Sequence, residues 1–292
     1  MSGWTTADVT DQTGRTFVVT GANSGLGYQT AKVLVRAGAE VVLACRNTAK
    51  ADAVASELGP KATVAKLDLA DLESVRAFAA GVTGADVLIN NAGLMAVPFR
   101  RTTDGFEMQI GTNHLGHFAL TALLLPKITE RVVTVSSTMH QIGDIQLDDL
   151  NWEQRRYRRW RAYGDSKMAN LMFGKELAAR LAAAGSSKKS LIAHPGYAST
   201  ELQGRSENFS DFFAKLGNKL PIAQPALAGS KRMSTRSWIG AISRNSGGAR
   251  SLPRHSSGGG RSGGVAVVPT SSGRSPSRPK VASAVTRVCP SC

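Results

Sequence analysis

Cysteine is the first scarcity. Cys45, Cys289 and Cys292 are the three in 292 residues, too few and too unevenly placed for a disulfide framework, which points to a reducing compartment. They form no ligand cluster with histidine, so no metal is expected. Long apolar runs are missing too. The longest, Ala119 to Pro126, falls short of a bilayer span, and Met1 to Asp11 is polar, without the apolar stretch of a signal peptide. The expectation is a soluble, cytoplasmic protein with no transmembrane segment.

Acidic residues are missing from one end. From Ser230 to Cys292 there is no Asp or Glu against 11 Lys and Arg, so the formal charge of +15 falls to near balance over residues 1–229, which hold 25 basic and 21 acidic residues. That distribution argues against reading the chain as a nucleic-acid binder. The tail is rich in Ser, Gly, Arg and Pro, and within it only Gly264-Val265-Ala266-Val267-Val268 has strand character. It is expected to be disordered. The chain therefore divides into a body, 1–229, and a basic tail, 230–292. A frameshifted coding sequence and a basic arm for nucleic acid are the two explanations of the tail, and composition favours the first.

What is present begins with Thr20-Gly21-Ala22-Asn23-Ser24-Gly25-Leu26-Gly27, entered from the apolar run Thr16 to Val19 and left by the helical pattern Tyr28 to Ala37. Strand, glycine turn and helix in that order read as a diphosphate cradle or, taken alone, as an ordinary strand-to-helix turn. The glycines let backbone approach a ligand, and the N–H groups at the start of a helix favour negative charge. A second strand, Glu40 to Ala44, ends in Cys45-Arg46, about twenty residues past the turn, where dinucleotide-binding folds read the adenosine ribose. Arg46 offers a forked cation suited to a 2′-phosphate, which makes NADP(H) the expected cofactor. A solvated surface arginine is the alternative reading of that residue.

The alternation continues. A helix is expected over 49–58, a strand over 62–67 with Asp68-Leu69 at its exit, a helix over 72–80, and a continuous apolar strand over 85–89 running into Asn90-Asn91-Ala92-Gly93. A long helix over 105–125 carries Asn113 in its middle; a strand over 131–135 ends in Ser136-Ser137; a helix runs from Tyr163 to Ala184; and a strand over 190–193 leads to His194-Pro195-Gly196. This pattern predicts an α/β fold, a doubly wound, Rossmann-like parallel sheet with ligands at the carboxyl ends of the strands. The block Arg155 to Arg161, with Tyr157 and Trp160 interleaved, reads as a solvated loop whose aromatic residues pack on the body, in preference to a nucleic-acid patch.

Tyr163 and Lys167 are four residues apart on a predicted helix, hence on one face. A neighbouring ammonium favours the phenolate and brings a phenol closer to acid–base work at operating pH. Lys167 can also bond the nicotinamide ribose. Ser137 can donate to a substrate oxygen where charge develops, and Asn113 can hold a water linking Lys167 to solvent.

These motifs together resemble the short-chain dehydrogenase/reductase family of the single-domain type. Thr20-Gly-x-x-x-Gly-x-Gly27, Asn90-Asn-Ala-Gly93, Asn113, Ser137, Tyr163-x-x-x-Lys167 and Pro195-Gly196 follow that family's order over roughly residues 12 to 205. The resemblance implies Tyr163 as acid/base, Ser137 as the group that positions carbonyl or hydroxyl, and Lys167 with Asn113 as the rest of a proton relay. It implies cofactor contacts at Gly21, Asn23, Ser24, Gly25, Leu26, Gly27, Arg46, Asp68, Leu69, Asn90, Ala92, Gly93, Tyr163, Lys167, Pro195, Gly196 and Thr200. Ala44-Cys-Arg-Asn47, Asn113-His-Leu-Gly-His-Phe118 and the wide Ser137–Tyr163 interval are similar to the retinol-dehydrogenase-like branch. That branch implies apolar aldehyde, ketone or alcohol substrates.

The expected partner is thus a small carbonyl or alcohol, with a homo-oligomer left open. Two functions remain at this stage. One is an NADP(H)-dependent oxidoreductase; the other is a catalytically impaired nucleotide-binding protein, or basic-tail binding protein, lacking the family's C-terminal elements.

Overall fold

The computed structural model describes residues 6–194. The expectations placed on Pro195, Gly196, Thr200, the strand-like 264–268 and the basic tail 230–292 lie outside the described residues. Within them, six strands form one parallel sheet: β1 Thr16–Thr20, β2 Glu40–Cys45, β3 Ala62–Lys66, β4 Ala85–Asn90, β5 Ile128–Val135 and β6 Lys189–Ala193. Their spatial order is β3-β2-β1-β4-β5-β6. The chain steps outward from β1 to β3, then returns to β4 and steps outward the other way. The connections at the carboxyl ends of β1 and β4 therefore part, and a crevice opens there.

The central pair explains the sequence pattern. Phe17, Val18 and Val19 of β1 lie in register with Val87, Leu88 and Ile89 of β4, and all six are fully buried. Strands covered on both faces have no polar alternation to display. Covering them are α1 Gly25–Arg36, α2 Thr48–Leu58, α3 Leu72–Gly81, α4 Met108–Ile110, α5 Gly116–Leu124 and α6 Arg159–Ala183. The starts of α2 and α3 are fixed by side-chain caps: Asn47 accepts from the Lys50 N–H, and Asp71 from those of Glu73 and Ser74.

Two helices depart from the pattern read in sequence. The expected long helix over 105–125 starts only at Met108, because Gly105 has φ 85° and Arg101 pairs with Glu107 in an antiparallel bridge. Its middle is a single π turn, Gly111–Leu115, between α4 and α5. Such turns distort the helical ladder and cluster at functional sites. Helix α6 begins four residues before Tyr163, so Arg159, Trp160 and Arg161 form its first turn rather than a loop.

Arg155 and Tyr157 of the basic block are pinned to the body, while Arg156 and Arg158 are exposed. The Arg155 guanidinium lies 3.6 Å from the Trp152 ring centroid and pairs with Asp149 at 3.3 Å and Asp165 at 3.4 Å. The Tyr157 hydroxyl donates to the buried Glu107 carboxylate at 2.9 Å and accepts from the Gln109 amide at 2.8 Å. The segment between Ser137 and Tyr163 is thereby held against the start of α4.

Candidate active site

Above β1 the chain turns at Gly21, whose φ is 65°, and enters α1. Close approach is built in at Gly27: a Cβ there would lie 2.4 Å from the Gly21 carbonyl oxygen and 2.6 Å from Asn91 Nδ2. Ser24, at the N-cap of α1, makes no side-chain capping bond, and the first turn holds no acid. The N–H groups of Gly25, Leu26 and Gly27 have no intrahelical acceptor, so the positive end of this helix suits an anion. Asn23 stands at the rim, its Nδ2 donating to the Asn47 carbonyl at 3.5 Å. These residues fit a diphosphate.

Arg46 follows β2 with its side chain 65% exposed and, among the described residues, makes a loose 3.9 Å pair with Asp68. Asp68 Oδ1 accepts from the Ala70 N–H, and Leu69 is buried with its carbonyl against Gly116. The loop after β4 is tied to the glycine turn through Thr20, whose hydroxyl oxygen accepts from the N–H groups of Asn91 and Ala92, both at 2.9 Å. Asn91 adds a bond from Nδ2 to the Thr20 carbonyl at 2.8 Å. Asn90, at the end of β4, is turned toward α5. It is 1% exposed, and its amide donates to Thr121 Oγ1 of α5, so its side chain serves the sheet–helix contact.

A buried polar cluster sits on α6. Its buried stripe runs Tyr163, Ser166, Lys167, Asn170, Gly174, Leu177 and Leu181, a helical period whose C-terminal half is apolar and whose N-terminal half is not. Burying such polar groups is costly unless they are bonded. Ser166 Oγ donates to the Tyr163 carbonyl at 2.8 Å, and Asn170 Nδ2 to the Val135 carbonyl at 3.1 Å. Lys167 Nζ reaches the same Val135 carbonyl at 3.4 Å. Ser137, just beyond β5, caps a 3-10 turn through the Met139 N–H and hydrogen-bonds the Tyr163 side chain. Gly93 closes the group: a Cβ on it would lie 3.3 Å from Asn113 Oδ1 and 3.4 Å from Lys167 Nζ.

Asn113, in the π turn, is fully buried. Its Oδ1 accepts from the Leu94 N–H at 2.7 Å, and its Nδ2 donates to the Leu94 carbonyl and to Ser166 Oγ, both at 2.9 Å. The Asn113 side chain thus clamps the β4 loop to α6.

Burial dominates the ionisation of the cluster. It pushes the Tyr163 phenol up from its ordinary value, against a smaller pull from the Ser137 hydrogen bond. Desolvation lowers Lys167 to about 8. The expectation of a phenol lowered by its neighbouring ammonium is reversed in direction, because burial of the phenol itself disfavours its charged form.

The folded chain therefore brings Asn113, Ser137, Tyr163 and Lys167 together and sets them beside Gly93, with the glycine cradle joined through Thr20. Sequence reasoning missed Asn91, Ser166 and His117. The signal for His117 was its helical spacing of four from Asn113. A cavity of about 620 Å³ lies at the start of α6, with Pro98, Ile142, Tyr157 and Trp160 among its walls, and Trp160 meets the Tyr163 ring edge-on at 6.5 Å between centroids. Among the described residues no group of three His, Cys, Asp or Glu is placed to hold a metal, and no helix is long and apolar enough to cross a membrane.

Residues 15–210 match the family model described as short chain dehydrogenase. The chain is 47% identical over 202 residues to retinol dehydrogenase 13 of Homo sapiens, covering 65% of this chain and 60% of that protein. It is 48% identical over 202 residues to retinol dehydrogenase 11 of Homo sapiens, covering 65% and 63%. The chain thus spans less than two thirds of the length of these curated relatives. A crystal structure of an uncharacterized protein from Mycobacterium Paratuberculosis is 51% identical, with a TM-score of 0.70, covering 84% of this chain and 82% of that one.

Proposed function

The chain belongs to the short-chain dehydrogenase/reductase family, and from that membership we propose that it is an NADP(H)-dependent oxidoreductase of apolar aldehydes, ketones or the corresponding alcohols. The observation that carries the reading is the convergence of Ser137, Tyr163 and Lys167 beside the loop that Thr20 ties to the glycine cradle.

Gly21, Ser24, Gly25, Leu26 and Gly27 would hold the diphosphate, and the exposed guanidinium of Arg46 would meet a 2′-phosphate. A nicotinamide held there would supply the hydride exchanged with the carbonyl carbon. Tyr163, kept protonated by burial, gives the proton at Oη to the carbonyl oxygen in the reductive direction. Ser137 donates a hydrogen bond to the same oxygen as negative charge develops on it. Lys167, protonated below about pH 8, steadies the phenolate left behind and stands next to the Val135 carbonyl, from which it can turn toward a ribose. Asn113 and Ser166 hold Leu94 and the helix turn of Tyr163 in place.

The names of the retinol dehydrogenases to which the chain is similar support an apolar substrate, and Pro98, Ile142 and Trp160 give apolar surface to a cavity that Arg158, Arg159 and Arg161 also line. A cytoplasmic location and a body ending near residue 229 belong to the same proposal. Purified full-length protein incubated with NADPH or NADH and a panel of apolar aldehydes tests it through nicotinamide absorbance. Aldehyde-dependent oxidation of NADPH faster than of NADH is the expected result. No oxidation with any member, or preference for NADH, contradicts it.

A further inference from the structure

A third network, used by neither the cradle nor the proton-transfer groups, runs between them through His117 of α5. The ring is 1% exposed. Nδ1 lies 3.0 Å from the Asn113 backbone carbonyl, and Nε2 lies 2.9 Å from Thr20 Oγ1.

Counting donors fixes the tautomer. A carbonyl oxygen only accepts, so Nδ1 carries the proton. The Thr20 oxygen already accepts from the Asn91 and Ala92 N–H groups, which uses both its lone pairs. Its one proton then goes to Nε2 at 2.9 Å rather than to the Ile89 carbonyl at 3.3 Å. Every donor and acceptor in the chain from Asn113 through His117 and Thr20 to Ala92 is satisfied in this one assignment.

We infer that His117 is a positioning residue that couples the nucleotide cradle to the proton-transfer cluster, as a neutral imidazole donating from Nδ1 to Asn113 and accepting at Nε2 from Thr20. The Asn113 arm orients the π turn whose side chain clamps Leu94 and Ser166. The Thr20 arm orients the hydroxyl that holds the loop leading to Gly93. A charged ring would have to donate from both nitrogens and would break the Thr20 arm. Burial is the main force against charge, and the titratable groups facing the ring, Lys167 and His114, add to it, holding the ring at about 3.

The effect on turnover rests on the proposed reaction; the tautomer does not. Long-range proton–nitrogen correlation spectra of the uniformly labelled full-length protein, with His117 assigned by its loss in His117→Asn, give the first readout. A neutral Nδ1–H pattern unchanged from about pH 5 to pH 8 is expected. An Nε2–H pattern, or titration within that range, overturns the inference whatever the variants do to binding or turnover.

The second readout splits the arms. His117→Asn keeps a donor at the Nδ1 position and loses the Thr20 arm; it should weaken NADPH binding by about tenfold and lower kcat by less. His117→Gln keeps an acceptor near the Nε2 position and should lower kcat by more than it weakens binding. Parallel losses of both quantities in both variants, or no loss in either, overturn the coupling. A wild-type protein without turnover refutes the proposed reaction, while the spectra still decide the state of His117.

Discussion

Lys167 Nζ stands 5.6 Å from the centroid of the Tyr163 ring, one helical turn away on the buried face of α6. The two groups that would move the proton are also the two that burial perturbs, Tyr163 upward and Lys167 downward to about 8 from 10.5. Below pH 8 folded and unfolded chains both carry the lysine proton, and the cost of burying the charge stands in full. Between about 8 and 10.5 only the unfolded chain carries it, so stability owed to this group rises with pH. Lys167→Met should be more stable than wild type at pH 7 by up to ~3 kcal/mol, with the advantage shrinking toward pH 10.5. Urea denaturation of both proteins across that range checks it; a difference independent of pH contradicts it.

Arg46 makes a loose 3.9 Å pair with Asp68 and otherwise projects into solvent at the end of β2. Arg46→Asp should weaken NADPH binding by about tenfold to a hundredfold, the effect of losing a charge-assisted fork, and improve NADH binding. Cofactor titration of both proteins measures this. Equal NADPH affinity in the two would mean the guanidinium is only a surface charge.

Gly27 has no room for a methyl group, since a Cβ there would sit 2.4 Å from the Gly21 carbonyl oxygen. Gly27→Ala should force the glycine turn away from α1, lowering stability by about 1–3 kcal/mol and removing measurable NADPH binding. Thermal melts with and without NADPH give both quantities. A ligand-induced rise in Tm equal to that of wild type contradicts the cradle assignment.

Most of the fold was legible because its strands carry their own evidence. The runs Phe17–Val19 and Val87–Ile89 are apolar without alternation, as doubly covered strands must be, and Asn47 and Asp71 announce helix starts chemically. The quartet Asn113, Ser137, Tyr163 and Lys167 was legible from spacing and order. The π turn was not, since Gly111 to Leu115 shows no local pattern that separates it from an α-helix; tertiary packing decides it. Ionisation was misread at Tyr163 because sequence gives the neighbour and not the depth of burial. The position of Asn90 at the end of β4 was readable, but the direction of its amide, toward Thr121, depends on the helix above it.

In the proposed reaction everything turns on Tyr163 supplying the proton, and Tyr163→Phe is the sharpest probe of that role, since the ring that meets Trp160 is kept and only the hydroxyl is lost. Turnover of an apolar aldehyde and the NADPH dissociation constant should be measured on the same full-length preparations of wild type and variant. A fall in kcat of about a hundredfold or more is expected, the scale of general acid catalysis, with the dissociation constant changed by less than about threefold. Turnover within a few-fold of wild type, with binding intact, would mean that another group delivers the proton.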